Sequence, residues 1–348
     1  MNRCLVRWGM AAACAAWAAG LMAQAAVALA PRDLARWQVA PGNYSGITPL
    51  GAGRYAVVSD KDVRDGFFVF RVVQDSLTGQ VTEVVDEGFR GVASDLAGGR
   101  DAEGVAFTPE DSLVWISGEA DQRIVACHMD GTKAGRELDV PASLGVAAIH
   151  PNYGFEALGY DRVAGLFWTM TENVLKADGL PMGPGVQGQA ALRLQSFGRD
   201  GQPRAAYSYK LDRPQVEARG RQYAFGAVAL CPVGDGRLWV MEREANVPKR
   251  RLKSRVYIKV YEIRPGEGQA GQALEKRRVV DFSTRMRLFR PKWANYEGLC
   301  EGRWLADGRR TWLLVSDSQG GYGNRFCHLR DWIRVLVQEK ETDRHEKE

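Results

Sequence analysis

Asp101-Ala102-Glu103-Gly104-Val105 opens a short unit whose second apolar run, Leu113-Val114-Trp115-Ile116, leads to Glu119, sixteen residues beyond Glu103. The unit recurs. Gly154-Phe155-Glu156-Ala157-Leu158 precedes Phe167-Trp168-Thr169 and Glu172, and Gly226-Ala227-Val228 precedes Trp239-Val240-Met241 and Glu242, at the same sixteen-residue interval. Ser45-Gly46-Ile47 leads to Asp60, and Tyr296-Glu297-Gly298-Leu299 leads to Asp317 across a longer turn. Each of the five copies reads as a small or acidic start, an apolar strand, a turn, an apolar strand and an acid. Recurrence of one supersecondary unit signals a repeat architecture. An antiparallel hairpin returns both ends to one side, so the acids of each copy are expected to lie close together.

Working outward, a second pair of β-like runs follows each of the first four copies, such as Arg123 to His128 with Arg136 to Val140, and Val256 to Ile263 with Arg277 to Phe282. These runs are rich in branched and aromatic residues, as strands prefer, and turn signals such as Asp130-Gly131, Asp200-Gly201 and Asp307-Gly308 separate them. Four strands recurring every fifty to seventy residues or so predict an all-β fold, a β-propeller. Five blades are counted, and six only if the 172–225 interval hides another. The fifth copy lacks a fourth strand after Arg325 to Leu336, and Arg36-Trp37-Gln38-Val39 is expected to supply it and close the ring. Residues 178–190, with four Gly and two Pro, read as a loop.

The N-terminus reads as a secretory leader over residues 1–30. Arg3 and Arg7 precede an Ala-rich apolar run from Gly9 to Leu29, and Ala28-Leu29-Ala30 predicts cleavage before Pro31. One propeller domain over 31–338 and a charged tail over 339–348 follow. A periplasmic or secreted protein with no later membrane span is expected, acting as a monomer. Cys4 and Cys14 fall in the leader. Cys127, Cys231, Cys300 and Cys327 remain, and they either form two disulfides or stay free and buried. The 47 basic and 42 acidic residues nearly balance at +5, too mild and scattered a surplus to imply nucleic acid.

In a propeller the first strand of each blade lines the central channel. The repeat therefore gathers Asp60, Asp101, Glu103, Glu119, Glu156, Glu172, Glu242, Glu297 and Asp317 around one mouth. So many carboxylates cannot all stay ionised at close range without bases, metal or raised pKa values. Their oxygens suit Ca²⁺ or Mg²⁺, and four histidines in the chain argue against zinc or copper. Structural acids that only fix blade geometry are the alternative for the set. Glu103, Glu156 and Glu297 share the most similar contexts and are the candidates for catalysis, with Arg243 as an anion-binding partner. The basic run from Lys249 to Arg255 reads as a solvated loop, Asn152 and Asn295 as turn formers, and His150 and His328 as structural. A Gly-x-Ser-x-Gly elbow, a His-Glu-x-x-His zinc site and a GxxxxGK[ST] phosphate loop do not occur.

The order of these elements over residues 44–337 resembles the phytase-like domain family, also described as esterase-like activity of phytase. The resemblance is carried by Ser45-Gly46-Ile47, Ser59-Asp60-Lys61-Asp62, Asp101 to Val105, Ser117-Gly118-Glu119 and Asn152-Tyr153-Gly154-Phe155-Glu156-Ala157-Leu158. Tyr207 to Leu211, Met241-Glu242-Arg243, Asn295 to Leu299 and Leu314-Val315-Ser316-Asp317 continue it. One departure stands at the last element, where Ser318-Gln319 follows Asp317 in place of an acid or amide and an asparagine. The resemblance implies a propeller, export, and phosphoester or ester hydrolysis. The expected function is thus an exported hydrolase of a small or phosphorylated substrate, assisted by divalent cations. The competing expectation is a non-catalytic propeller that binds a ligand or protein partner and holds structural calcium.

Overall fold

A computed structural model describes residues 25–186, 191–266, 272–287, 293–321, 323–324 and 327–340. The chain enters through two short strands, β1 (Ala26–Ala28) and β2 (Arg32–Asp33). Four antiparallel four-stranded blades follow in sequence order. Blade 1 is β3 (Tyr44–Gly51), β4 (Arg54–Ser59), β5 (Arg64–Gln74) and β6 (Val81–Ala93). Blade 2 is β7 (Ala102–Thr108), β8 (Leu113–Gly118), β9 (Ile124–His128) and β10 (Lys133–Glu137). Blade 3 is β11 (Phe155–Asp161), β12 (Leu166–Thr171), β13 (Ala191–Gly198) and β14 (Pro203–Lys210). Blade 4 is β15 (Gln222–Gly234), β16 (Arg237–Val247), β17 (Arg255–Ile263) and β18 (Lys276–Arg285). Blade 5 takes β19 (Asn295–Glu301) and β20 (Thr311–Asp317). A short hairpin of β21 (Gly323–Asn324) and β22 (Cys327–His328) intervenes before β23 (Trp332–Gln338). The 172–225 interval holds the outer half of blade 3, so the ring has five blades.

Alternation along each strand sends one set of apolar side chains into each inter-blade seam. The core is accordingly five separate clusters. Trp239 and Trp312 stack at 4.0 Å between blades 4 and 5, and Trp115 meets Phe167 at 4.8 Å between blades 2 and 3. Inner strands β3, β7, β11, β15 and β19 neighbour one another in a closed circle. Cys127, Cys231 and Cys300 are free and buried in three different clusters. All three thiols are free, so no disulfide joins them; the side chain of Cys327 lies outside the described residues. No helix among the described residues is long and apolar enough to cross a membrane.

The N-terminus closes the ring, as expected, but through a different segment. Ala26, Val27 and Ala28 pair with Gln338, Val337 and Leu336 as the outermost strand of blade 5, and β2 pairs with the same strand. Arg36 to Val39, expected to close it, does not. Asp33 Oδ1 accepts the Ala35 N–H at 3.0 Å and Gln38 turns the chain with φ 62°, so Leu34–Trp37 coils into a 3-10 turn. The leader boundary read at Ala30 would also remove β1 from the sheet. The rest of the expected leader, with Cys4 and Cys14, and most of the expected tail lie outside the described residues.

A chain beginning at Pro31 is expected to be less stable than one beginning at Ala26. The backbone bonds of β1 contribute about 2 kcal/mol, or roughly 4 °C of melting temperature in a domain of this size. Scanning calorimetry of the two chains measures it, and equal melting points would show that β1 adds nothing to ring closure.

Candidate functional site

Each inner hairpin carries an irregularity at the same place. The register shifts between Tyr44 and Gly46, Ala102 and Val105, Phe155 and Ala157, Ala227 and Ala229, and Tyr296 and Gly298. A bulge re-aims the extra residue, and here the residues in the shifts include Ser45, Glu103, Glu156, Val228 and Glu297. The residue before each bulge faces Ser59, Gly118, Thr171, Glu242 or Ser316. The next residue along each second strand is Asp60, Glu119, Glu172, Arg243 or Asp317. Arg243, not Glu242, therefore occupies the ring position in blade 4.

Glu242 is a correction to the expected set. One step along a strand reverses the side chain's face, and Glu242 points away from the mouth into the seam toward blade 3. There it accepts hydrogen bonds from Tyr209 Oη at 2.7 Å and Lys276 Nζ at 2.6 Å. Asp317 is also set back. It is fully buried, and Gln319 covers it with its backbone N–H at 2.6 Å and its side-chain amide. Gln319 lines the mouth in its place.

The other seven expected acids, Asp60, Asp101, Glu103, Glu119, Glu156, Glu172 and Glu297, line one cavity of about 360 Å³ with Arg243, Lys61 and Asn152. Below the bulges stands a ring of aliphatics, one per blade: Ile47, Val105, Leu158, Leu230 and Leu299, all buried. These five line the cavity on the opposite face, which shares no lining residue with the acidic one. The mouth is therefore a blind cup over an apolar floor. Glycines let the inner strands crowd at the axis: a Cβ on Gly46 would sit 2.3 Å from the Glu103 carbonyl oxygen, and one on Gly226 2.1 Å from that of Glu172.

Electrostatics divide the cup in two. On one side, Arg243 donates to Glu172 at 2.5 Å, Glu297 at 2.8 Å and Asn295 at 3.2 Å, and Asn295 donates to Glu297 at 2.8 Å. Asn295 is thus part of the site rather than a turn former. Burial alone would lower the guanidinium pKa, but the carboxylates outweigh it and hold Arg243 above its ordinary value. On the other side, carboxylate oxygens of Asp60, Asp101 and Glu103 lie within 4.8 Å of one another, as do those of Glu103, Glu119 and Glu156. Lys61 reaches Asp60 at 2.7 Å and Asp101 at 3.2 Å. Burial, then the neighbouring carboxylates, pushes Glu103 and Glu156 well above the usual range. Burial also raises Glu119 and Glu297 to about 7, against the opposing Gly154 N–H and Arg243 respectively. Asp60 Oδ1 and Arg243 Nε are buried without a hydrogen-bond partner. Among the expected bystanders, His150 contacts the Gly179 carbonyl and the 249–255 run lies outside the cavity lining.

The Phytase-like family, described as esterase-like activity of phytase, matches residues 40–319. The chain belongs to this family. No curated protein matches this Phytase-like chain. Solved structures similar to it include a streptogramin B lyase, at 11% identity over 89% of this chain and 97% of that one, TM-score 0.37. A luciferin-regenerating enzyme is similar at 12% identity over 89% and 98%, TM-score 0.44. The PQQ-bound aldose sugar dehydrogenase of Streptomyces coelicolor is similar at 15% identity over 91% and 99%, TM-score 0.39.

Arg243→Met would leave Glu172 and Glu297 buried without their counter-charge. The expected loss is about 3–5 kcal/mol at pH 8, shrinking at pH 5 where the carboxylates take up protons; urea unfolding at both pH values measures it. A loss independent of pH would mean that packing, not charge, is what Arg243 supplies.

The Phytase-like chain should also titrate in a defined direction. Glu119 and Glu297, at about 7 when folded against an ordinary 4.5, bind more protons in the folded state across that interval. Their contribution is full below pH 4.5 and lost as the pH rises through 7. In chelator the melting temperature is expected to fall between pH 5 and pH 8. A cation held by Glu103, Glu119 and Glu156 would compete with the proton on Glu119, so added Ca²⁺ should recover more stability at pH 8 than at pH 5.

Proposed function

We propose that this mouth is a divalent-cation site, for Ca²⁺ or Mg²⁺, and that it hydrolyses phosphomonoesters outside the cytoplasm, following export by the leader. What supports this reading is the pair of converging carboxylate groups that share Glu103. They lie in the same blind cup as Arg243. Asp60, Asp101 and Glu103 would hold one cation, and Glu103, Glu119 and Glu156 a second. A donor set of oxygens without thiol or imidazole suits these hard ions, and the orphaned Asp60 Oδ1 is a donor atom that the protein itself does not satisfy. A bound cation there supplies Lewis acidity to a phosphoryl oxygen and acidifies water.

The chain's own residues then have distinct tasks. Arg243 is held rigid by Glu172, Asn295 and Glu297. Its Nε–H has no protein acceptor and Nη2 makes one of its two hydrogen bonds, so the guanidinium keeps donors that a phosphoryl oxygen could take. Glu297, titrating near 7, accepts the proton of the attacking water at neutral pH. The water oxygen bonds to phosphorus, the ester P–O bond breaks, and the proton passes to the departing oxygen. The aliphatic floor keeps the dielectric low, which strengthens each of these interactions.

Purified protein is expected to hydrolyse a generic phosphomonoester in Ca²⁺ or Mg²⁺ and to stop in chelator. Glu103→Gln, common to both carboxylate groups, should lower kcat/KM by about 100-fold or more and remove the rise in melting temperature that Ca²⁺ produces. Stabilisation by Ca²⁺ with no turnover of any phosphoester would move the assignment to a ligand-binding propeller with structural calcium.

A further inference from the structure

Blade 4 departs from the other four in its inner hairpin. β15 and β16 run to 13 and 11 residues, against six to eight for every other inner pair. The excess lies on the mouth side. Paired positions continue from Gly226 and Arg243, at the ring, to Gln222 and Val247. Four further residues at about 3.3 Å each raise a wall of roughly 13 Å above the carboxylates.

Alternation gives this wall two faces. The back is polar and fully occupied. Glu244 accepts the Gln215 N–H at 2.7 Å, the Val216 N–H at 3.3 Å and Tyr223 Oη at 3.0 Å, while Asn246 accepts the Gly220 N–H at 2.7 Å. The loop between blades 3 and 4 is thereby strapped behind the hairpin and fixes it upright. The front, in register with Arg243, presents Ala245 and Val247, with Ala224 paired across from Ala245. All three line the acidic cavity. The cup thus has acids on blades 1–3 and 5, while blade 4 raises Ala224, Ala245 and Val247 above Arg243, with Gln222 at the tip.

Charge points the same way. Seven carboxylates line the cup against Arg243 and Lys61, leaving five formal negative charges when all are ionised. Two divalent cations would still leave one. A polyphosphorylated ligand would bring many more negative charges, and among the described lining residues no base stands beyond Arg243 and Lys61 to meet them. An ester with one phosphate and an uncharged body has no such conflict.

We propose that the blade 4 wall seats the body of the substrate, and that the substrate is a phosphomonoester of an apolar or aromatic alcohol rather than a polyphosphate. This rests on the cation-assisted phosphoester reading above and adds the specificity element to it. The test uses two inert analogues with the same head, phenylphosphonate and methylphosphonate, titrated calorimetrically into the Ca²⁺-loaded protein. Phenylphosphonate is expected to bind about tenfold tighter, the worth of burying a ring face. Ala245→Asp and Ala245→Asn should each bring that ratio to about one, while the stabilisation by Ca²⁺ stays as in the wild type. The ratio is the readout because a uniform weakening of head-group binding cancels in it. Equal affinities in the wild type, or a ratio that survives both substitutions, would overturn the wall assignment and leave the cation site standing. Failure of both phosphonates to bind, or of Ca²⁺ to stabilise the protein, would overturn the phosphoester reading and this proposal with it.

Discussion

Like charges crowded over a dry floor are the constraint on which this structure turns. Seven carboxylates share one cup, and five aliphatic side chains close it from below. Burial raises the cost of every ionised group, and each neighbour adds repulsion. The chain answers in three different ways. Arg243 is buried between Glu172 and Glu297 as a fixed internal cation. Lys61 bridges Asp60 and Asp101 from the rim, where more than half of its side chain is exposed. Glu103 and Glu156 get neither, and they sit in the two groups whose oxygens converge. Protons or cations must balance that half of the cup, and the two compete for the same oxygens.

The bulges explain how the acids come to share a plane. A regular strand would turn alternate residues away from the axis. One extra residue per inner strand lets a glutamate face the mouth while the aliphatic two positions later still faces the channel. That pairing was legible in Glu103 with Val105, Glu156 with Leu158 and Glu297 with Leu299, because the acid and the aliphatic recur at fixed spacing. In blade 4 the same logic slipped by one residue. Gly226 and Glu242 stand sixteen apart, like Glu156 and Glu172, but Gly226 is small because the Glu172 backbone presses on it. The true equivalents, Val228 and Arg243, stand fifteen apart, as do Ser45 and Asp60 in blade 1. Spacing alone could not separate the two, since only the register shows which face a residue takes.

Two other features were hidden for physical reasons. The closing strand, Ala26-Val27-Ala28, has the composition of a leader and too few large side chains to announce a strand. It is held by backbone pairing to β23, which sequence pattern does not display. The cysteines carried the opposite ambiguity. An oxidising compartment favours pairing, but free cysteine is also a small hydrophobe suited to close packing. Cys127, Cys231 and Cys300 each belong to a different inter-blade cluster and are free, in keeping with the second. Gln319 was visible only as a departure from the family pattern; the structure gives it the task of covering Asp317.

Blade 1 already carries Ser45 at its bulge, but blade 4 breaks the five-fold pattern three times in one hairpin. The bulge carries Val228 in place of an acid, the ring position carries Arg243, and the strands overrun the mouth. A symmetric acidic ring could hold a cation on its axis but would give a bound ligand no preferred orientation. Placing the only guanidinium and the only raised wall among the described blades on one side supplies that direction. Under the proposed reading, anionic groups would be drawn toward blade 4 by Arg243, and whatever they carry would meet Ala224 and Ala245, which line the same cup. The acids that hold Arg243 come from blades 3 and 5, so the asymmetric blade is locked to both neighbours by the same charge that serves the site. Stability of the ring and polarity of the cup therefore rest on one side chain, and a change there cannot alter one without the other.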